Sequence, residues 1–206
     1  MSNYRVLFGP IGAVMLALGI VVLGAMVPGY SQVHQTVSEI GEVGSPMQVP
    51  FTILLFAVAV CILVFAFGLR EVAVANGRSA FPAYVIALMS VSAAGVGVFS
   101  FPHPLHNVFG ISELAGYQAP LVLALAWRRD PDAKSVVATS WIFSALVWLA
   151  IVLNLSSMDR SGTLWLYAKP VYGVVQRLLF AAWFGWAAVI GLMLFRESPK
   201  AALKPA

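Results

Sequence analysis

The chain has 206 residues, of which 61% are hydrophobic and 10% are charged, and its mean hydropathy is +0.91. Soluble domains carry about 45–50% apolar and about 25% charged residues, so this composition excludes an ordinary soluble domain and indicates an integral membrane protein. The net charge of +4 does not indicate nucleic-acid binding, because the basic residues cluster at the ends of apolar stretches, where they set membrane topology. The one cysteine, Cys61, lies inside such a stretch, so no disulfide framework is expected.

Six apolar windows are long enough to cross a bilayer, since a span needs roughly 20 residues at about 1.5 Å of rise each. In chain order they lie near Leu7–Val27, Pro50–Leu69, Phe81–Phe101, Val108–Trp127, Ser135–Leu155 and Pro170–Phe195. The first is longer than the apolar part of a signal peptide, about 7–15 residues, and is expected to be a retained span. The fourth is the weakest, because Glu113, Tyr117, Gln118 and Pro120 interrupt it. We predict an all-α membrane protein whose single domain, residues 1–206, is a six-helix bundle.

The distribution of lysine and arginine predicts the orientation of this bundle. With six spans both termini share a side, and nine basic residues fall there: Arg5, Arg70, Arg78, Arg128, Arg129, Lys134, Arg196, Lys200 and Lys204. The opposite side, with the outer half of the last span, has three: Arg160, Lys169 and Arg177. Cytoplasmic loops are enriched in lysine and arginine, so both termini are predicted to be cytoplasmic.

The connection between the first two windows, residues 28–49, is long and is predicted to be external. Within it Val33, Val37 and Ile40 recur at i, i+4 and i+7, which indicates one apolar face of a helix. We predict a short amphipathic helix over Tyr30–Glu42 that lies on the outer surface and caps the bundle as a lid. The alternative is a solvated loop whose apolar stripe arises by chance.

Two charged residues, Glu113 and Arg177, lie inside apolar windows. A charge at membrane depth is costly and usually faces a protein interior or a wet cavity, with a partner. Counted from the outer ends of their spans, Glu113 lies about 9 Å deep and Arg177 about 12 Å deep. We predict that the two side chains approach each other, directly or through a bound ligand. The alternative is an ion pair that only joins two helices.

All three histidines, His34, His103 and His106, fall on the predicted external side. On the fourth span His106, Gly110, Glu113 and Tyr117 share one helical face. Three interpretations stay open. His103 and His106 bind a metal, with His34 or Glu39 completing the ligand set; His106 faces the cavity as a catalytic or hydrogen-bonding group; or these are ordinary loop histidines. Ser38, beside Glu39, lacks the sequence context of a serine nucleophile and is expected to bond within the loop.

Several short blocks of the chain resemble the domain of unknown function 998 family. They are Pro28-Gly29-Tyr30-Ser31, Thr36-Val37-Ser38-Glu39-Ile40-Gly41, Phe101-Pro102, His106-Asn107 and Gly173-Val174-Val175-Gln176-Arg177-Leu178. The resemblance implies a six-helix bacterial or archaeal protein of the plasma (inner) membrane, without an established general activity. Its matched polar positions are Ser38, Glu39, His106, Asn107, Gln176 and Arg177. The family often has an acidic residue and a longer segment after Phe-Pro, whereas His103-Pro104 follows here.

These observations predict an outward-facing polar pocket that binds, and in an enzymatic version converts, a lipid-like or amphipathic small molecule. Glu113 and His106 are the catalytic candidates, for a membrane hydrolase or an acid-initiated isomerase or cyclase. The ligand-binding candidates are Arg177, Gln176, Asn107, Tyr117, His34, Ser38 and Glu39. No cofactor is expected unless the three histidines hold a metal, and the partner is a membrane lipid or apolar small molecule rather than a nucleic acid. The alternatives are a transporter or channel component and a structural or sensory membrane partner.

Overall fold

The structure, a computed structural model, describes residues 3–156 and 162–197, and it is helical with no strand among them. The α-helices are α1 Phe8–Ala25, α2 Gln48–Ala75, α3 Phe81–Val98, α4 Pro104–Gly116, α5 Ala119–Trp127, α6 Lys134–Ser156, α7 Thr163–Ala168 and α8 Tyr172–Glu197. Within this part of the chain six helical segments are long and apolar enough to cross a membrane, which confirms the predicted all-α, six-span fold. Arg160, Lys200 and Lys204, which entered the orientation prediction, lie outside the described residues.

The fourth span begins earlier than predicted and is broken in the middle. It starts at Pro104, where the side chain of His103 caps α4 by accepting the Leu105 N–H at 3.1 Å. Proline suits the first helical turn, because its missing N–H needs no partner there. The break between α4 and α5 falls at residues 117–118, among the polar residues that weakened the apolar pattern. His106 therefore belongs to the first turn of α4.

The core of the bundle is built from side chains of α1, α2, α3, α5, α6 and α8. Trp183 and Trp186 are fully buried there. Their indole N–H groups donate to Gly116 O of α4 at 3.1 Å and to Ser140 Oγ of α6 at 3.0 Å, so neither donor is left unsatisfied. The outward faces of the spans are apolar and exposed, as in α1 and α6, and suit contact with lipid tails.

The connection between α1 and α2, residues 26–47, is here called the outer loop, and its end of the bundle the outer end, after the side of the membrane that the sequence predicts for them. Turns and a short 3₁₀-helix, Val37–Gly41, stand where a longer amphipathic helix was predicted. Val37 and Ile40 are buried as expected, at 4% and 0% exposure, but Val33 is 43% exposed, so its predicted packing onto the bundle is wrong. The 3₁₀-helix starts at Val37, later than the predicted start at Tyr30, because Thr36 and Glu39 form a capping box. In it the Thr36 N–H donates to Glu39 Oε1 at 2.8 Å. A turn at Gly44, whose φ of +90° suits glycine, follows it.

The opposite end of the bundle has its own anchored connection, here called the inner corner and formed by Arg78, Trp127 and Asp130. Arg78 Nε donates to Asp130 Oδ2 at 2.5 Å, and the guanidinium lies 4.9 Å from the centre of the Trp127 ring. Trp127 Nε1 donates to Ser79 O at 2.9 Å. The α2–α3 connection is thereby fastened to the α5–α6 connection. The hydrogen bond from Arg78 holds the pKa of Asp130 below its ordinary value.

Candidate functional site at the outer end of the bundle

Arg177 of α8 makes three of its four hydrogen bonds to the outer loop. Its Nη1 donates to Gln35 O at 2.9 Å and to Gly173 O at 2.8 Å, and its Nη2 donates to Tyr30 Oη at 2.5 Å and to Gln32 Oε1 at 2.6 Å. The remaining donor, Nε, is buried and has no hydrogen-bond partner among the described residues. Four of the five N–H groups are thus occupied, and every acceptor is neutral. Backbone carbonyls and neutral side chains can satisfy a charge at membrane depth in place of a carboxylate.

The predicted direct ion pair between Glu113 and Arg177 is wrong. Within the described ranges the ion pairs are Arg5–Glu71 and Arg78–Asp130. Glu113 Oε2 instead accepts the hydroxyl of Tyr117, one turn further along the same span, at 3.1 Å. The reason is geometric, because the loop carbonyls reach Arg177 directly while Glu113 has a partner on its own span. A pair bridged by a bound ligand stays a prediction.

Gly173 makes the contact between α8 and the outer loop possible. A Cβ atom at this position would lie 2.4 Å from Gln35 O and 2.6 Å from Gln32 O, closer than any real Cβ contact. Three residues further on, Gln176 Oε1 accepts the Val37 N–H at 2.7 Å, so the loop is held at the start of its 3₁₀-helix as well. The block from Gly173 to Arg177 therefore forms one docking surface for the loop.

Tyr30 and Gln32 are partners of Arg177 that the sequence analysis missed. The Tyr30 hydroxyl donates to Thr36 O at 2.8 Å while it accepts from Arg177. Burial raises the pKa of Tyr30 above its ordinary value, and the neighbouring Arg177 opposes that rise. The signal for this contact is the Pro28-Gly29-Tyr30 block of the family resemblance. A tyrosine carries no charge, so matching of opposite charges does not find it.

His106 joins α4 to the outer loop. It is 8% exposed, and its Nδ1 lies 2.8 Å from Phe99 O and 3.2 Å from Val96 O, while its Nε2 lies 3.0 Å from Ser38 Oγ. A carbonyl oxygen can only accept, so Nδ1 carries the hydrogen. In the neutral ring Nε2 is then an acceptor for the Ser38 hydroxyl. Of the open interpretations of His106, the structure places it as a buried hydrogen-bonding group at the outer end.

The other two histidines, His34 and His103, form hydrogen bonds with different parts of the chain. His34 is exposed, and its Nδ1 donates to Pro170 O at 2.6 Å, while His103 caps α4. No group of three or more His, Cys, Asp or Glu side chains in the described part of the chain could hold a metal ion. The interpretation of His103, His106 and His34 as a metal site therefore finds no support in their geometry.

The remaining site candidates have different surroundings. Glu39 Oε1 accepts the N–H and the hydroxyl of Thr36, each at 2.8 Å, and its Oε2 accepts Gln35 Nε2 at 2.9 Å. Asn107 is exposed beside His106, whereas Tyr117 is only 3% exposed. Six of the nine predicted residues thus fall into three groups, which are the loop contacts of Arg177 and Gln176, the Ser38–His106 bond and the Glu113–Tyr117 bond. The other three, His34, Glu39 and Asn107, belong to none of these groups.

A cleft of about 590 Å³, here called the outer cleft, opens between the outer loop and the segment that runs from α7 into α8. It is lined by His34, Gln35, Thr36, Glu39, Trp165, Leu166, Lys169, Pro170 and Tyr172. The rings of Trp165 and Tyr172 meet edge to face, with their centres 5.4 Å apart. A second cleft of about 400 Å³, the inner cleft, lies at the inner corner and is lined in part by Arg78, Arg129 and Asp132.

Comparison with known proteins places the chain in a family but not with any characterised relative. A family model described as a protein of unknown function (DUF998) matches residues 10–193. No curated protein and no solved structure matches the chain. The matched residues include the outer loop, His106 and the Gly173–Arg177 block. The chain therefore belongs to the DUF998 family, whose function is uncharacterised, and is a multi-pass membrane protein.

Proposed function

We propose that this protein binds an amphipathic, lipid-like molecule with an anionic head group in the outer cleft. The observation that carries the proposal is the lining of that cleft, which places the cation of Lys169 beside the aromatic pair Trp165 and Tyr172. Tryptophan and tyrosine favour the membrane–water interface, where their rings sit at the level of the head groups. Lysine binds phosphate and carboxylate groups as a point charge.

The two parts of such a ligand match two parts of the cleft. The head group lies against Lys169 and the polar edge of the outer loop. The tail lies along the exposed apolar side chain of Leu166, which is 72% exposed. The carboxylate of Glu39, which also lines the cleft, accepts three hydrogen bonds from Thr36 and Gln35, and these dipoles reduce, without cancelling, its repulsion of an anion.

This proposal gives Arg177 and Gln176 a positioning role instead of direct ligand contact. The four occupied N–H groups of Arg177 leave its planar fork without a free pair of donors for a phosphate or carboxylate. Both residues hold the loop segment that forms one wall of the outer cleft.

Native mass spectrometry of the detergent-purified protein tests the proposal with two probes, a phosphatidylglycerol and a phosphatidylcholine of identical acyl chains. We expect the anionic lipid to be retained preferentially and the preference to fall about tenfold in Lys169→Glu. The matched control is Arg129→Glu at the inner cleft, which should keep the preference. Equal retention of the two lipids by the wild type, or an unchanged preference in Lys169→Glu, overturns the proposal.

We also infer that both termini are cytoplasmic and that the outer loop faces outward across a prokaryotic plasma membrane. The support is the excess of lysine and arginine on the side of the termini, nine against three. In a Cys61→Ala background, a membrane-impermeant maleimide applied to intact cells should label a cysteine at Val43 and spare one at Asp132. Both positions are exposed, so the side of the membrane on which each lies decides whether it is labelled. Labelling at position 132 and not at position 43 would show that the orientation is the reverse of the one inferred.

A further inference from the structure

We propose that Ser38 and His106 are the nucleophile and general base of an acyl hydrolase that acts on a carboxylic ester of an amphipathic molecule. Ser38 Oγ lies 3.0 Å from His106 Nε2, within the distance for proton transfer between a nucleophile and its base. Neither residue lines the outer cleft, and in a 3₁₀-helix Thr36 and Glu39, three residues apart, share a side that Ser38 does not. The inference therefore goes beyond the binding function and does not depend on it.

The imidazole of His106 is oriented as a base requires. Its Nδ1–H donates to Phe99 O at 2.8 Å, which fixes the ring and leaves the lone pair of Nε2 directed at the Ser38 hydroxyl. In a serine–histidine–aspartate triad a third group orients the ring and selects its tautomer through Nδ1. Here a backbone carbonyl supplies that contact.

Ser38 is carried by a firmly held element. Its neighbour Val37 is buried and donates its N–H to Gln176 of α8, and Ile40 is fully buried. On the other side the Val43 N–H donates to Phe101 O at 2.8 Å, which ties the loop to the α3–α4 connection. A nucleophile supported from two sides keeps its distance to the base, as an active site needs.

The depth of the pair favours an ester of the membrane surface as substrate. His106 lies in the first turn of α4, about 3–5 Å from the start of the helix. A span that enters the bilayer at Pro104 puts this level where the hydrocarbon core gives way to the head groups, and the ester carbonyls of lipids lie there. Leu105 and Val108, the exposed apolar neighbours on α4, offer a surface for the acyl chain.

The reaction needs only water as co-reactant. Ser38 Oγ attacks the ester carbonyl carbon while its proton passes to His106 Nε2. The carbon–oxygen bond to the alcohol breaks, His106 returns the proton to that oxygen, and an acyl-serine remains. Water then attacks the acyl carbonyl and gives a proton to His106, which returns it to Ser38 Oγ as the carboxylic acid leaves.

A fluorophosphonate probe on the detergent-purified full chain tests the proposal, because an activated serine displaces its fluoride and forms a stable phosphonyl ester. We expect an adduct on Ser38 by peptide mass spectrometry, together with hydrolysis of 4-methylumbelliferyl butyrate. Both should fall at least tenfold in Ser38→Ala and His106→Gln. Ser45→Ala is the matched control, since its hydroxyl lies in the same loop but donates to Ile40 O at 2.6 Å, and it should keep both signals.

Limited proteolysis of the outer loop separates catalysis from a structural bond. The side-chain oxygen of His106→Gln can still accept the Ser38 hydroxyl, so loop protection should persist while labelling is lost. Labelling of His106→Gln at the wild-type rate overturns the proposal, as does a wild type that neither labels at Ser38 nor hydrolyses the ester faster than Ser38→Ala. If His106→Gln loses loop protection, Ser38→Ala decides the matter, and wild-type hydrolysis in that variant overturns the proposal.

Discussion

The two ends of the bundle each hold a partly buried arginine, and they satisfy its hydrogen-bond donors in different ways. At the inner corner Arg78, with a side chain 7% exposed, bonds the carboxylate of Asp130 and lies over the Trp127 ring. At the outer end Arg177 bonds two backbone carbonyls, a phenol and an amide. One cation is neutralised by an ion pair, and the other is compensated by neutral dipoles.

The difference shows that opposite charge is a poor guide to the partner of a buried cation. A guanidinium has five donors in a planar fork, so several carbonyl and hydroxyl oxygens can replace one carboxylate. Such acceptors exist in any loop whose backbone comes close enough. The outer end achieves that approach through Gly173, which has no side chain to keep the loop away.

The largest effect is expected from Arg177→Met, because it removes four hydrogen bonds from a charged group at once. Hydrogen bonds to charged groups contribute about 1.5–3 kcal/mol each, and the freed acceptors recover part of this through water, so we expect a net loss of about 3 kcal/mol. Chemical unfolding in detergent measures the loss, and protease sensitivity of the outer loop should rise with it. Arg177→Lys keeps the charge but not the planar fork of donors, so its loss of stability should lie between zero and that of Arg177→Met. An unchanged cleavage rate in Arg177→Met would show that the loop is held by other contacts.

Gly173→Ala tests whether the neutral compensation depends on close approach of the loop. The added methyl would lie 2.4 Å from Gln35 O, so the loop must move away from α8, and we expect a cost of about 1–3 kcal/mol. The control is Gly110→Ala on α4, where a Cβ meets nothing within 4 Å. That variant should be neutral or gain up to about 1 kcal/mol from helix propensity. Equal behaviour of the two variants in thermal unfolding would remove the special role assigned to Gly173.

The contact between Arg78 and Asp130 at the inner corner should make stability depend on pH in the acid range. Arg78 lowers the pKa of Asp130 in the folded protein. The stabilisation is therefore present above the unfolded-state pKa of aspartate, about 3.9, and is lost as pH falls through the lower folded value. Asp130 is partly exposed, so solvent screens the pair, and Asp130→Asn should cost about 1 kcal/mol at neutral pH. Stability measured between about pH 7 and pH 3 should fall less in this variant than in the wild type. A parallel loss in both would show that other groups dominate.

The smallest effect is expected from coupling between Glu113 and Arg177. The two residues form no ion pair and their hydrogen bonds share no partner. In a double-mutant cycle with Glu113→Gln and Arg177→Met, the free energies of unfolding should add to within about 0.5 kcal/mol. If the double variant recovered stability, the two side chains would be coupled. Because they form no direct ion pair, a ligand or water would have to link them.

Part of the outer end could be predicted from local patterns. The shared face of Glu113 and Tyr117 is confirmed by their hydrogen bond, and Val37 and Ile40 are buried as their spacing indicated. Val33 departs from its predicted packing because the Thr36–Glu39 capping box delays the start of the helix. A capping box between residues three apart can fix where a helix begins, even where an apolar pattern over seven residues predicts an earlier start.

The amino-acid sequence by itself determined the six spans and the placement of His106 and Arg177 at one end of the bundle. Length and hydropathy suffice for this, because a bilayer imposes the same requirement on each span independently. Only the tertiary structure decided that Arg177 bonds Tyr30 and Gln32, and that Ser38 meets His106. These contacts join residues far apart in the chain through neutral donors and acceptors, which leave no charge pattern or periodicity to follow.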